Sequence, residues 1–263
     1  MIIQKQEDTF NGLDFSNIYI VTDFDGTLTV NSSDSSWASI LKNPNISKDF
    51  VDECIRIFNE YHPLEIDEMI SYEQKLEVMI KWYKINIDTL VKYEIDEKTI
   101  NYSVSNENIM CFRKGAKKFL ELLNKNDVPV IIISAGIGNI IEQFLIKNQC
   151  NFPNIFICSN FLEYIEGKVV GVKNGNLIHS LNKNEVSLPE CIKEKIKNRI
   201  PILLGDNVMD INMVETEGRV VKIGFLDEEE NARLESFVNN FDLVCTQNTS
   251  YDEILNYINK NYE

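Results

Sequence analysis

Asp23 and Asp25 stand two residues apart in the run Asp23-Phe24-Asp25-Gly26-Thr27-Leu28-Thr29. On extended chain, side chains two apart point the same way. One carboxylate can then attack an electrophile while the other handles the proton of a leaving oxygen. Gly26 lets the chain turn tightly beside them. A plain turn would use the same residues; a calcium loop would also need the later aspartate and closing glutamate, which are missing. Ser134-Ala135-Gly136-Ile137-Gly138 offers a hydroxyl and free amides, an anion seat if a helix starts there, although a simple strand-to-helix turn needs no more than this. Lys183, in His179-Ser180-Leu181-Asn182-Lys183-Asn184, is an ammonium of the kind a phosphate requires, while a lysine in a polar stretch, taken by itself, reads as solvated. His179 reads as structural. Gly205-Asp206-Asn207-Val208-Met209-Asp210 places two carboxylates one helical turn apart, hard oxygen donors suited to Mg2+. A helix cap is the competing reading of Asp206.

For these clusters to meet, buried strands must end at each of them. Ile18 to Phe24 is apolar and β-branched and stops at Asp-Gly; similar runs cover Val128 to Gly136, begin at Pro153 and Arg219, and end at Asp206. Helical patterns are predicted over Lys114 to Asn126, Ile137 to Asn148, Pro189 to Asn198, Val208 to Glu215 and Glu228 to Asn239, with a hairpin from Phe161 to Ile178. This alternation predicts an α/β fold, a doubly wound parallel sheet that binds ligands at the carboxyl ends of its strands. From about residue 31 to 110 the rhythm breaks: Ser47 to Tyr61 and Ser71 to Ile85 are helical, with no buried strand between. An insertion that leaves after the first strand and returns before the next unit would sit over the sheet end as a lid. The expected division is a core of residues 1–30 and 111–263 with a helical cap of residues 31–110.

At 263 residues and 44% hydrophobic composition the chain can bury a large core. Lysine and arginine total 26 against 41 acids, a formal charge of -15, which argues against a nucleic-acid partner. A small anionic substrate remains open, provided that a lysine or a bound metal supplies local positive charge. Six cysteines lack a CxxC pair or metal-type spacing and read as reduced, mostly buried small hydrophobes. No segment approaches a membrane span and no leader pattern opens the chain, so a soluble cytoplasmic protein is expected, without a membrane partner, as a monomer or weak homo-oligomer.

In order, DFDGTLT, SAG, the downstream lysine and GDxxxD resemble the four signature motifs of haloacid-dehalogenase-type phosphatases. More narrowly, SAGIG, Ser159-Asn160, the stretch Ile178 to Asn184 and Lys222 to Leu226 look like the cytosolic pyrimidine 5'-nucleotidase family. Tyr61 to Asp67 and Met79 to Tyr83 look like that family's base-recognition segment. The resemblance implies a Rossmann-like core and a Mg2+-dependent phosphomonoester hydrolase of nucleotide metabolism that works through an aspartyl-phosphate. Asp23 would be the nucleophile and Asp25 the acid and base. Asp23, the Asp25 carbonyl and Asp206 would hold Mg2+, with Asp210 ordering a bound water. Ser134, Ala135 and Lys183 would bind phosphate, Glu65 would read the base, and Trp82 or Tyr83 would wall the pocket. Two departures stand out: Val30 to Asn45 replaces a longer cysteine-containing segment, and Asn86 stands where a base-contacting serine is expected. The alternatives are a phosphatase for another small ester, such as phosphoserine or a cofactor precursor, and a phospholigand-binding module without turnover. Glu65 as a solvated acid and Trp82 as plain core are the bland readings of the cap residues.

Overall fold

The computed structural model describes residues 2–259 apart from 5, 6, 68, 107, 108, 185–187, 228–232, 247 and 248. Strands β1 (Ile2–Gln4) and β2 (Ile18–Thr22) come first, followed by helices α1 (Lys48–Ile66), α2 (Tyr72–Lys92) and α3 (Glu97–Tyr102). Then come α4 (Ala116–Lys125), β3 (Val130–Ile137), α5 (Gly138–Lys147), β4 (Ile155–Asn160), β5 (Leu162–Ile165) and β6 (Lys168–Val172). The chain continues through α6 (Glu190–Ile196), β7 (Ile200–Gly205), β8 (Val221–Leu226), α7 (Leu234–Asn240), β9 (Leu243–Thr246) and α8 (Tyr251–Asn259).

Seven strands form one sheet in the order β1-β9-β8-β7-β2-β3-β4, and only the edge pair β1/β9 is antiparallel. β2 sits between β7 and β3, with Thr22 opposite both Leu204 and Ile132. Because β2 is buried on both sides, its alternating residues supply two separate cores: Ile18 and Ile20 join one apolar cluster, Tyr19 and Val21 the other. Helices therefore cover both faces, as the strand and helix alternation predicts.

The chain leaves the sheet after β2 and returns to nearly the same point: the Val30 amide donates to the Cys111 carbonyl at 3.1 Å, and Thr29 bridges to Phe112. Between these points the two long helices pack on each other. α1 is capped by Ser47, whose side chain accepts from the Phe50 amide, and α2 opens on a capping box of Ser71 with Gln74. Both outrun their predicted ends. α1 continues through Pro63 to Ile66, and α2 reaches Lys92 rather than Ile85. Proline removes an N–H and crowds the preceding turn, yet here it stands within the last turn of α1, close to where the helix stops anyway.

Other expectations need correction. Val208 to Met213 is a short 3-10 helix rather than an α-helix to Glu215. The hairpin is confined to β5 and β6, turning at Glu166 and Gly167, both with positive φ. The helix expected from Glu228 begins at Leu234 among the described residues, and residues 228–232 lie outside them. Only Cys150 and Cys245 of the six cysteines are buried; Cys54, Cys111 and Cys158 are half-buried and Cys191 is exposed. Among the described residues no helix is long and apolar enough to cross a membrane.

The turn after β2 is held from behind by a buried cation. Arg113 donates through Nη2 to the Gly26 carbonyl at 2.6 Å and through Nε to the Thr27 carbonyl at 3.3 Å, while its guanidinium lies 4.7 Å from the Phe225 ring centre. Tyr251 Oη donates to the same Thr27 carbonyl at 3.2 Å. Arg113→Ala strips the buried Gly26 carbonyl of its partner, leaves the Thr27 carbonyl to Tyr251 alone, and should lower the unfolding free energy by about 2–4 kcal/mol in urea titrations. Arg113→Lys, with no planar fork, should recover only part of it.

Candidate active site

Parallel pairing brings the ends of β2, β3 and β7 to one edge of the sheet, and the four sequence clusters meet there. The Asp23 amide donates to the Leu204 carbonyl at 3.0 Å, so the chain stays in register one residue beyond β2. Asp23, Asp206 and Asp210 each bring a carboxylate oxygen within 4.8 Å of the others. Lys183 Nζ lies 2.9 Å from Asp23 Oδ1 and 2.6 Å from Asp210 Oδ1, and all three of these side chains are more than nine-tenths buried.

Two glycines make this crowding possible. Gly26 has φ +76°, and a Cβ there would collide with the Asp206 carboxylate. A Cβ at Gly205 would fall 2.5 Å from both Cβ and Oδ2 of Asp210. Asn207, rather than Asp206, caps the 3-10 helix: its side chain accepts from the Met209 amide, and Asp210 Oδ2 accepts from the Asn207 amide at 3.0 Å. Asp206 is thereby left to the cluster, where its partner is the Thr27 hydroxyl at 3.4 Å.

Three carboxylates against one ammonium leave two negative charges uncompensated in a buried place. The titration shifts follow from that imbalance. Burial is the largest influence on Asp23, raising its carboxyl to about 7 against the opposing pull of Lys183. Asp206 is raised well above the ordinary carboxylate range by burial, then by Asp23 and Asp210. Burial by itself would lower Lys183, but Asp210 and Asp23 outweigh it and keep the ammonium charged. A divalent cation fits this donor set: the ligands are hard oxygens, close together, with an excess charge equal to that of the ion.

Asp25 points elsewhere. Both of its carboxyl oxygens accept from Ser36, Oδ1 from the amide at 2.9 Å and Oδ2 from the hydroxyl at 2.7 Å. Burial raises this carboxyl, with the Ser36 bonds and the Lys183 charge opposing. Ser134 Oγ accepts from the Gly136 amide at 3.0 Å. The Ala135 carbonyl accepts from the Trp37 indole at 3.1 Å and from Asn160 Nδ2 at 2.9 Å. Asn160 also donates to the Ile178 carbonyl and accepts from its amide, both at 2.8 Å, tying the segment that carries Lys183 to β3. His179 keeps a structural place: it is buried, and its Nδ1 accepts from the Leu181 amide.

A cavity of about 570 Å³ opens above the cluster. Asp23, Asp25, Ser134, Ala135, Lys183, Asp206 and Asp210 line one end; Phe58, His62, Glu65, Trp82, Tyr83 and Asn86, from α1 and α2, line the other. Every candidate from the sequence is therefore on this one cavity. Trp82 belongs to both readings at once, since it packs in a small apolar cluster with Ile57, Tyr61, Met79 and Tyr83 and also faces the space. Sequence reasoning passed over Ser36, Trp37 and Arg113, and it used Asn160 only as part of a resemblance. Their partners lie up to 114 residues away, so no local pattern marks them.

A family model described as pyrimidine 5'-nucleotidase (UMPH-1) matches residues 25–260. The 7-methylguanosine phosphate-specific 5'-nucleotidases of Mus musculus and Homo sapiens are 32% and 31% identical to the chain over 247 residues, covering 90% of it and 82% of each relative. Among solved structures, cytosolic 5'-nucleotidase IIIB bound to cytidine superposes with a TM-score of 0.85 at 24% identity, covering 99% of this chain and 94% of that one. A substrate-bound phosphoserine phosphatase follows at a TM-score of 0.56 and 18% identity, covering 92% and 98%. The fold is thus the one that haloacid-dehalogenase-type phosphatases share.

The charge imbalance has a consequence for stability. A carboxyl raised in the folded state takes up its proton there before it does so in the unfolded chain, so that stability is gained as pH falls through about 7 and lost as pH rises through it. In the presence of a chelator, the unfolding free energy should increase by on the order of 0.5–1 kcal/mol between about pH 8 and about pH 6.5. Asp23→Asn should reduce that increase, leaving the part that Asp206 carries, and saturating Mg2+ should flatten it, both read by urea unfolding across the window.

Proposed function

The chain belongs to the pyrimidine 5'-nucleotidase family and is a phosphatase of the 5'-nucleotidase kind; from that premise we propose that it is a Mg2+-dependent hydrolase of nucleoside 5'-monophosphates working through an aspartyl-phosphate on Asp23. The observation that carries the reading is one cavity with Asp23, Asp25, Asp206, Asp210 and Lys183 at one end, and aromatic walls with the Glu65 carboxylate at the other.

In this reading residues 31–110 are the cap and residues 1–30 and 111–263 the core. Asp23, Asp206 and the Asp25 carbonyl would hold the metal, which when bound neutralises the cluster and the phosphate oxygens. Lys183, fixed by Asp210, supplies a second positive charge to the phosphate, and Ser134 with Ala135 steadies the transferring group. Asp23 attacks phosphorus in line with the departing ribose oxygen. As the old P–O bond breaks, Asp25 gives that oxygen its proton, and the same carboxylate then takes a proton from the water that hydrolyses the acyl phosphate. Its burial suits both roles, since a carboxyl raised by burial keeps its proton more readily than a solvated one.

At the far end Glu65 is half-buried on the last turn of α1, beside Trp82 and Tyr83. A carboxylate only accepts, so it favours bases that present N–H donors. Cytosine and 7-methylguanine both do, in keeping with the names of the relatives and of the solved neighbour. Stacking on the aromatic walls would add apolar contact without distinguishing among bases.

The direct experiment is phosphate release from a panel of nucleoside monophosphates, phosphoserine and sugar phosphates, with Mg2+ and with chelator. Turnover of nucleotides only with Mg2+ is expected, and a preference for phosphoserine would reverse the substrate assignment. Asp23→Asn should remove at least about 10³-fold of the activity while leaving the folded spectrum intact. Glu65→Ala should raise KM for the preferred nucleotide about tenfold and narrow its lead over other bases.

A further inference from the structure

Ser36 is fully buried and lies eleven residues beyond Asp25, outside all four motif clusters. Among the described residues it is the one that engages both oxygens of the Asp25 carboxyl, through its amide at 2.9 Å and its hydroxyl at 2.7 Å. Ser36 Oγ accepts from the Ile137 amide at 3.2 Å and directs its single proton to Asp25 Oδ2. Ser36 is itself clamped: its carbonyl accepts from the Ser39 hydroxyl at 2.9 Å. Its neighbour Trp37 donates to the Ala135 carbonyl and meets the Tyr83 ring edge-on, with centroids 6.1 Å apart. β3 makes room for this arrangement at Gly136, where a Cβ would strike Ser36 Oγ and lie 3.1 Å from both Asp25 Oδ2 and Ser134 Oγ.

A carboxyl that delivers a proton must present the right lone-pair direction to the leaving oxygen, and one free to rotate does so only part of the time. With one acceptor direction of each oxygen filled by Ser36, the remaining direction stays open for the proton that is transferred. We propose that Ser36 is a positioning residue for proton transfer, locking the rotation of the Asp25 carboxyl so that the ester oxygen leaving phosphorus receives its proton as the P–O bond breaks. This inference rests on the reading of Asp23 as nucleophile and Asp25 as acid. The balance of the step is simple: phosphorus exchanges its bond to the ribose oxygen for one to Asp23, and the proton moves from Asp25 to the freed oxygen.

A residue that merely supports the fold would slow every substrate alike, whereas a residue that aims an acid matters only where the leaving oxygen needs a proton. The test is kcat/KM, which covers the steps through departure of the leaving group, for wild type and Ser36→Ala. It is measured on the nucleoside 5'-monophosphate that the wild type turns over fastest and on p-nitrophenyl phosphate, whose phenolate leaves unprotonated. The expected result is a loss of about tenfold or more on the nucleotide and less than about threefold on the aryl ester. Equal losses on both esters would overturn the proposal. Ser36→Cys, which fills the same space with a weak donor, carries the same expectation should the alanine variant fold poorly. In an Asp25→Ala background, Ser36→Ala should cost the nucleotide reaction nothing more; a full additive loss would likewise overturn it. A wild type with no Mg2+-dependent turnover of either ester would remove the underlying mechanism itself, an outcome visible before any variant is compared.

Discussion

Three carboxylates and one ammonium share a buried space in which the side chains of Asp23, Asp210 and Lys183 are all more than nine-tenths covered. Uncompensated charge in such a place is costly: it shifts toward neutrality or finds a counter-ion. The raised carboxyls of Asp23 and Asp206 are the protein's response when protons alone are at hand. A dication would remove the need for them and leave Asp23 in its ionised form. The architecture serves this concentration of charge. Parallel strands end together, Gly26 and Gly205 let side chains approach where a Cβ would collide, and Arg113 and Tyr251 hold the turn after β2 from behind.

The same crowding explains why Lys183 and Asp210 form a pair. A lone lysine could not neutralise the cluster, but by bridging Asp23 and Asp210 it is held in a single orientation facing the cavity. The segment that carries it is tied to β3 through Asn160, which bonds both the Ala135 carbonyl and the Ile178 backbone. From the two long helices to the sheet runs a chain of aromatic contacts: Tyr61 lies over Trp82, Trp82 meets Tyr83, and Tyr83 meets Trp37, whose indole bonds β3 at Ala135. The helices that would read the base are thus packed against the residues that set the geometry of Asp25.

Much of this was legible in the sequence, because local composition determines it. The runs ending at Asp23, Ser134 and Asp206 are β-branched and buried on both faces, and the motifs follow directly on their ends. β9 was not legible: Leu243–Thr246 is four residues long and gains its apolar surroundings from distant elements, among them β1, β8 and α7. β1 escaped notice for the same reason, being a three-residue edge strand paired with the far end of the chain. Pro63 concealed the true end of α1, since the rule that proline stops a helix has no knowledge of tertiary packing. The 3-10 helix after Asp206 arises because Asp210 bends back to the Asn207 amide and to Lys183, an outcome that hydrophobic periodicity does not encode. Ser36 was invisible for a different reason: its importance lies in the partners it bonds, and a serine in a polar stretch carries no mark of them.

The charge balance itself is open to a direct measurement: calorimetric titration of the metal-free protein with Mg2+, in wild type and in Asp206→Asn. One saturable ion per chain in the wild type, lost in the variant while its fold persists, is the predicted result. Saturable binding that survives the substitution unchanged, or no binding at all, would contradict the claim that these carboxylates are gathered to hold a divalent cation.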